Sequence, residues 1–78
     1  MIKSKAKGFA KRLQTILLAM DEANNKTRRK MGSLKGNEYS RYLSAQDLAN
    51  RLGEVTDHAY HLAGMGDNKV ERKKFEIK

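Results

Sequence analysis

The chain has 78 residues and a net charge of +8, with 38% hydrophobic residues, five aromatics, and no cysteine, proline or tryptophan. A chain this short hides only about 60–65% of its unfolded surface, so its core is thin. A deep substrate pocket or a multi-layer fold is disfavoured, and a helical hairpin or small bundle is favoured. The lack of cysteine removes disulfide staples, thiolate zinc sites and a cysteine nucleophile together. An enzyme is not expected, and no cofactor is implied.

The charge is unevenly spread. Residues 1–36 carry ten Lys/Arg against Asp21 and Glu22, residues 37–67 carry Arg41 and Arg51 against five acids, and residues 68–78 carry five cations against two acids. The first half and the tail are therefore basic, and the middle is mildly acidic. The start, Met1-Ile2-Lys3-Ser4-Lys5, resembles a charged signal-peptide beginning. The apolar run that follows, Ile16-Leu17-Leu18-Ala19-Met20, is only five residues long and has no cleavage region after it. The expectation is a soluble, cytoplasmic protein that does not insert into membranes.

In the first helical segment, Ile2, Ala6, Phe9, Leu13, Ile16, Met20 and Ala23 recur in alternating steps of four and three, and Ala10 and Leu17 widen the stripe. This periodicity predicts a helix over 5–31 packed against another helix. Leu18 lies off the stripe and is a candidate second contact point. Arg28, Arg29 and Lys30 would face the negative end of the helix dipole, and Gly32 would supply the stop. The connection over 32–37 has two glycines for the reversal, with Asn37 as the expected N-cap.

The second segment repeats the pattern with Ala45, Leu48, Leu52, Val55, Ala59 and Leu62, flanked by Tyr42, Ala49, Thr56 and Ala63. It predicts a helix over 38–63 that Gly64 ends. The fold class is then all-α: an antiparallel helical hairpin domain over 1–66, its core completed by dimerisation or a partner. Residues 67–78 form a basic tail, either mobile or ordered on a partner, with Phe75 and Ile77 as apolar anchors. A competing reading makes Ser44, Leu48, Ala49, Leu52 and Gly53 the first helix and turn of a helix-turn-helix. Its recognition helix, 56–64, would carry Asp57 and neither Lys nor Arg, which is poor equipment for a phosphate-lined groove.

Residues 26–35 hold five cations and no acid. With Lys11 and Arg12, the residues Lys26, Arg28, Arg29, Lys30 and Lys35 form the candidate nucleic-acid-binding set, acting through phosphate contacts with little sequence discrimination. Leu18, Tyr39, Tyr42, Tyr60 and Phe75 are the candidate partner-binding anchors. His58 and His61 stand three residues apart beside Glu54 and Asp57, but two imidazoles without a second ligand cluster are a weak metal signal, and no metal is expected. The leading expectation is a non-enzymatic accessory protein that binds DNA or RNA. The alternative is a phage- or plasmid-type inhibitor or adaptor that docks on a polymerase, nuclease or CRISPR effector of the host. A basic amphipathic helix over 2–20 lying on an anionic membrane is a third reading, weakened by how well its stripe matches the second helix.

Overall fold

In the computed structural model, which describes residues 2–65 and 70–73, the chain forms two helices, α1 (Lys3–Arg29) and α2 (Asn37–Leu62). They pack against each other as a hairpin, with a short 3-10 turn over Met31–Ser33 between them. Both helices start and end within two residues of the spans expected from periodicity. Helix α2 is continuous through Gly53, so the helix-turn-helix reading is corrected: no turn interrupts it. No helix among the described residues is long and apolar enough to cross a membrane.

The ends of the helices explain the reversal. Arg29 is the last residue of α1, and the chain then tightens rather than stopping at Gly32. The Lys30 amide donates to the Thr27 carbonyl at 3.0 Å, and the Ser33 amide and hydroxyl both donate to the Lys30 carbonyl, at 2.9 and 2.8 Å. The conformationally special glycine is Gly36, with φ +55°, a value that L side chains adopt at a cost. Gly36 fills the position before α2, and Asn37, expected as the cap, is instead its first helical residue with no side-chain cap in place. At the other end α2 closes with a Schellman motif: the Gly64 amide donates to His61 and the Met65 amide to Tyr60, with Gly64 at φ +75°. Met65 packs against the cluster of Ala10, Ala59 and Tyr60, the apolar contact that accompanies such a cap.

The seam itself runs along a different line from the strongest apolar stripe. On α1 the buried residues are Ala6, Ala10, Gln14, Leu17, Asp21 and Asn24, and on α2 they are Tyr42, Ala49, Thr56, Ala59 and Tyr60. Phe9, Ile16, Leu48, Val55 and Leu62, expected inside, are exposed. The physical reason is that the flanking residues are small. Alanines at Ala6, Ala10, Ala49 and Ala59 fill the line between the helices, and Leu17, fully buried, is the one large aliphatic side chain in it among the described residues. Burying a leucine is worth about 1.5–3 kcal/mol. The buried polar groups are satisfied: the Asn24 side-chain amide donates to the Ala45 carbonyl across the seam at 3.2 Å, and the Thr56 hydroxyl donates to the Leu52 carbonyl at 2.6 Å.

Residues 70–73 cross the hairpin as a strap. Val70 packs beside Ala10, Ala59 and Tyr60. The Gln14 side chain meets the backbone of Glu71 at two points, donating to its carbonyl at 2.7 Å and accepting from its amide at 2.8 Å. Seven residues further along α1, the Asp21 carboxylate accepts from Arg72 Nε at 2.6 Å and Nη2 at 2.7 Å, and from the Lys73 amide at 3.2 Å. The tail, expected to be mobile or ordered on a partner, thus lies on its own hairpin over this stretch. Phe75 and Ile77 lie outside the described residues.

Candidate nucleic-acid interface

The sequence of α1 sets which of its cations face solvent. Lys5, Arg12 and Lys26 fall at spacings of seven and fourteen residues, so they share one line of the helix, about 160° round from the seam residues Ala10, Leu17 and Asn24. At 1.5 Å per residue this ladder is about 31 Å long. Ala19 occupies the missing rung. Lys11, Arg12, Lys26, Arg29 and Lys30 are all exposed, as is Lys35 in the connection. Of the two acids on α1, Asp21 is buried and paired with Arg72, which leaves Glu22 as the exposed one. The outer edge of α1 therefore carries cations towards its two ends, with Thr15, Ala19 and Glu22 between them.

Two features divide the predicted set. Lys11 and Arg12 are separated from the cluster of Lys26, Arg28, Arg29, Lys30 and Lys35 by about 20 Å of helix, so the set forms two groups along one edge rather than a single patch. Arg28 differs from its neighbours in being half-buried. Its Nε donates to the Tyr42 hydroxyl, and its guanidinium lies 5.7 Å from the centre of the Tyr42 ring. That is a cation–π geometry, and it ties the C-terminal turn of α1 to the first turns of α2.

At the far end of α1 the first turn contains lysines and no acid, which opposes the positive end of the helix dipole. Lys3 escapes this by lying over the end of α2, where a β-carbon on Gly64 would stand 3.4 Å from its side chain. There the unpaired carbonyls favour a cation. Lys5 and Lys7 have no comparable compensation on α1's own first turn, and both are exposed.

The apolar candidates are dispersed. Tyr42 and Tyr60 are buried in the seam, Tyr39 is exposed near the start of α2, and Leu18 is half-buried on α1. Phe75 falls outside the described residues. These anchors do not converge on one surface. The exposed residues that do converge, Phe9, Ile16, Leu48, Val55 and Leu62, were read from sequence as interior. Their seven-residue spacing was visible, but nothing local distinguished an inner from an outer flank.

The Arg72–Asp21 pair is the strongest electrostatic feature. The Asp21 side chain is 5% exposed and that of Arg72 is 35% exposed. The hydrogen bond to Asp21, outweighing the opposing effect of burial, raises the Arg72 pKa above its ordinary value. The sign follows directly: with Asp21 ionised, a raised arginine contributes stability below its unfolded value, and that contribution is lost as pH rises through the folded value. Asn50 completes the arrangement, its Oδ1 3.3 and 3.4 Å from the two terminal nitrogens of Arg72. His61 lies 3.4 Å from Asp57 on the open face of α2, and no group of three or more His, Cys, Asp or Glu among the described residues could hold a metal ion.

Comparison of the chain with protein-family models, with curated proteins and with solved structures returns no match.

Proposed function

We propose that this protein is a small, basic, non-enzymatic accessory protein that binds nucleic acid through phosphate contacts along the outer edge of α1, acting in the cytoplasm. The observation that carries the reading is the ladder of Lys5, Arg12 and Lys26, flanked by Lys11, Arg29, Lys30 and Lys35, with Glu22 as the one exposed acid on that helix. Its length, about 31 Å, is close to the 34–36 Å of one turn of B-DNA. A rigid helix with a group of cations towards each end meets phosphates about one turn apart. Each neutralised phosphate releases counterions, which supplies affinity without base recognition. Lys5 and Lys7 near the positive end of the α1 dipole cost folding stability, and an anionic partner offsets that cost.

The test is binding of the purified chain to duplex DNA, single-stranded DNA and structured RNA over a salt series. Tight binding is expected, with a log–log slope of about −0.9 per duplex phosphate contacted. Replacing Arg12 and Lys26 by alanine should flatten that slope by nearly two contacts and weaken binding to all sequences alike. Absence of binding at physiological salt would sink the reading. It would favour the second one, an inhibitor or adaptor that docks on a host polymerase, nuclease or CRISPR effector, for which the observation is the uncovered apolar face described next.

A further inference from the structure

The strap divides the hairpin into two unlike broad faces. Gln14 and Asp21 of α1 and Asn50 and Gly53 of α2 all meet residues 70–73, so they mark one side of the groove between the helices. Ile16 stands two residues from Gln14, and Val55 two from Gly53. Each is about 160° round its helix from the strap side. Both therefore lie on the opposite broad face. The rest of that face follows at seven-residue steps: Ile2 just before α1 and Phe9 on it, Leu48 and Leu62 on α2, with Leu13, Met20 and Leu52 partly buried between them and the seam. Phe9 is 46% exposed, Ile16 52%, Leu48 58%, Val55 52% and Leu62 49%.

Along these lines, from Ile2 to Thr27 and from Ala45 to Leu62, no residue is charged, and Arg41, seven residues before Leu48, bounds the α2 line at its start. In a chain with one third charged residues, that is a segregated surface, and it excludes a polyanion as the occupant. It borders the basic edge, because Lys5 and Arg12 stand four residues before Phe9 and Ile16 on α1.

The missing area can be sized. A compact monomer of 8.9 kDa is expected to expose about 4,800 Å², whereas this chain exposes 5932 Å². The excess, roughly 1,100 Å², belongs to the whole elongated chain, and it is large enough to supply the ~800 Å² per partner of a standard stable interface. The radius of gyration says the same, at 14.6 Å against about 11.5 Å for a compact chain of this length. The molecule measures 46 × 24 × 15 Å, so its thinnest dimension is little more than one helix diameter. Domains bury their apolar faces between two layers, and this one has a single layer.

We propose that a second copy of this chain covers the face, the two hairpins stacking through Phe9, Ile16, Leu48, Val55 and Leu62 into a two-layer, four-helix bundle. A charge-free face is self-complementary under a two-fold axis, because each copy offers apolar surface and needs no opposite charge from the other. The dimer carries two α1 ladders on one particle, yet it stands independently of the nucleic-acid reading.

The experiment is sedimentation equilibrium of the full chain in about 1 M salt, where a phosphate-bridged pair would fall apart and an apolar interface persists. The expected mass is twice 8.9 kDa. Leu48→Lys with Val55→Lys should weaken association more than about a hundred-fold, while Ser40→Lys, exposed and half a turn round α2 from the seam residue Ala49, should leave it unchanged. Where the double variant loses its helical circular dichroism, the wild-type chain decides alone, because the melting midpoint of a dimer rises with protein concentration and that of a monomer does not. A wild-type monomer with a concentration-independent midpoint overturns the proposal. So does a dimer untouched by the two lysines, or a monomer that captures another protein through this face.

Discussion

Removing the Asp21–Arg72 pair should release the strap as a unit, and the size of the effect can be worked from the contacts. Two direct bonds, at 2.6 and 2.7 Å, join a guanidinium to a carboxylate in side-on geometry. Asp21 is almost fully shielded, and Arg72 is one-third open to water. An exposed pair is worth about 0–1 kcal/mol, and breaking a buried one costs about 3–5 kcal/mol. With one partner on each side of that divide, a coupling energy of about 2 kcal/mol is expected. The total cost has a ceiling. Ordering four residues costs about 1–2 kcal/mol each, so without the pair the strap lifts away, Asp21 regains water, and no further penalty accrues. Asp21→Ala and Arg72→Ala should each cost about 2 kcal/mol, and the double variant no more than the worse single one. Gln14→Ala, which breaks the two bonds to Glu71, should cost little in an Asp21→Ala background. Urea titrations at one protein concentration would read this as a fall in midpoint of about 1–2 M, given a slope of about 1–2 kcal/mol/M for a chain of this size. Hydrogen exchange supplies a local readout, since the Glu71 and Lys73 amides donate to Gln14 and Asp21 and should lose protection together. A coupling below about 0.5 kcal/mol, or strictly additive losses at Gln14 and Asp21, would refute the reasoning.

Three further substitutions test the packing and the interface. Gly8 has open space where a β-carbon would stand, so Gly8→Ala should add about 1 kcal/mol of helix stability and raise the melting midpoint by about 4–8 °C. Leu17 is fully buried in the seam, and Leu17→Ala should cost about 2–5 kcal/mol, a large part of the roughly 4–12 kcal/mol available to a chain of 78 residues. Midpoints from circular dichroism measure both. Arg28 and Arg29 should separate: Arg28→Ala loses its contact with Tyr42 and costs about 0.5–1 kcal/mol of stability, whereas Arg29→Ala leaves stability unchanged and reduces the salt slope of nucleic-acid binding by about 0.9.

The hairpin was legible in the sequence because its elements are local. Two apolar repeats of near-equal length joined by a glycine-bearing connection leave few alternatives to antiparallel helices, and the observed bounds, Lys3–Arg29 and Asn37–Leu62, follow closely. Within the candidate site the exposed cations were legible too, with Arg28 as the exception, because its partner is fourteen residues away in Tyr42. The strap was not legible. Its bonds join Gln14 to Glu71 and Asp21 to Arg72 across 57 and 51 residues, and a glutamine or aspartate on a helix carries no local mark of what will cover it. Gly53, read as the glycine of a possible turn, has its explanation there: a β-carbon would stand 3.3 Å from Arg72 and 3.9 Å from Leu17, so the glycine leaves room for the strap.

The misplaced apolar stripe is the more instructive case. Periodicity reports which residues share a face, and it groups Phe9, Ile16, Leu48, Val55 and Leu62 correctly. It does not report how many layers the face lies beneath. In a two-helix hairpin the line of closest approach is taken by the residues that let the backbones come near, here Ala6, Ala10, Ala49 and Ala59, and the larger side chains are displaced to the flank. A stripe wider than the hairpin's seam therefore leaves apolar residues on the outer flank of the hairpin. On the second-copy proposal the stripe is the core of a four-helix assembly, and the alanine line is the seam within each half. The concentration dependence of the melting midpoint distinguishes that arrangement from a hairpin whose apolar flank faces water permanently.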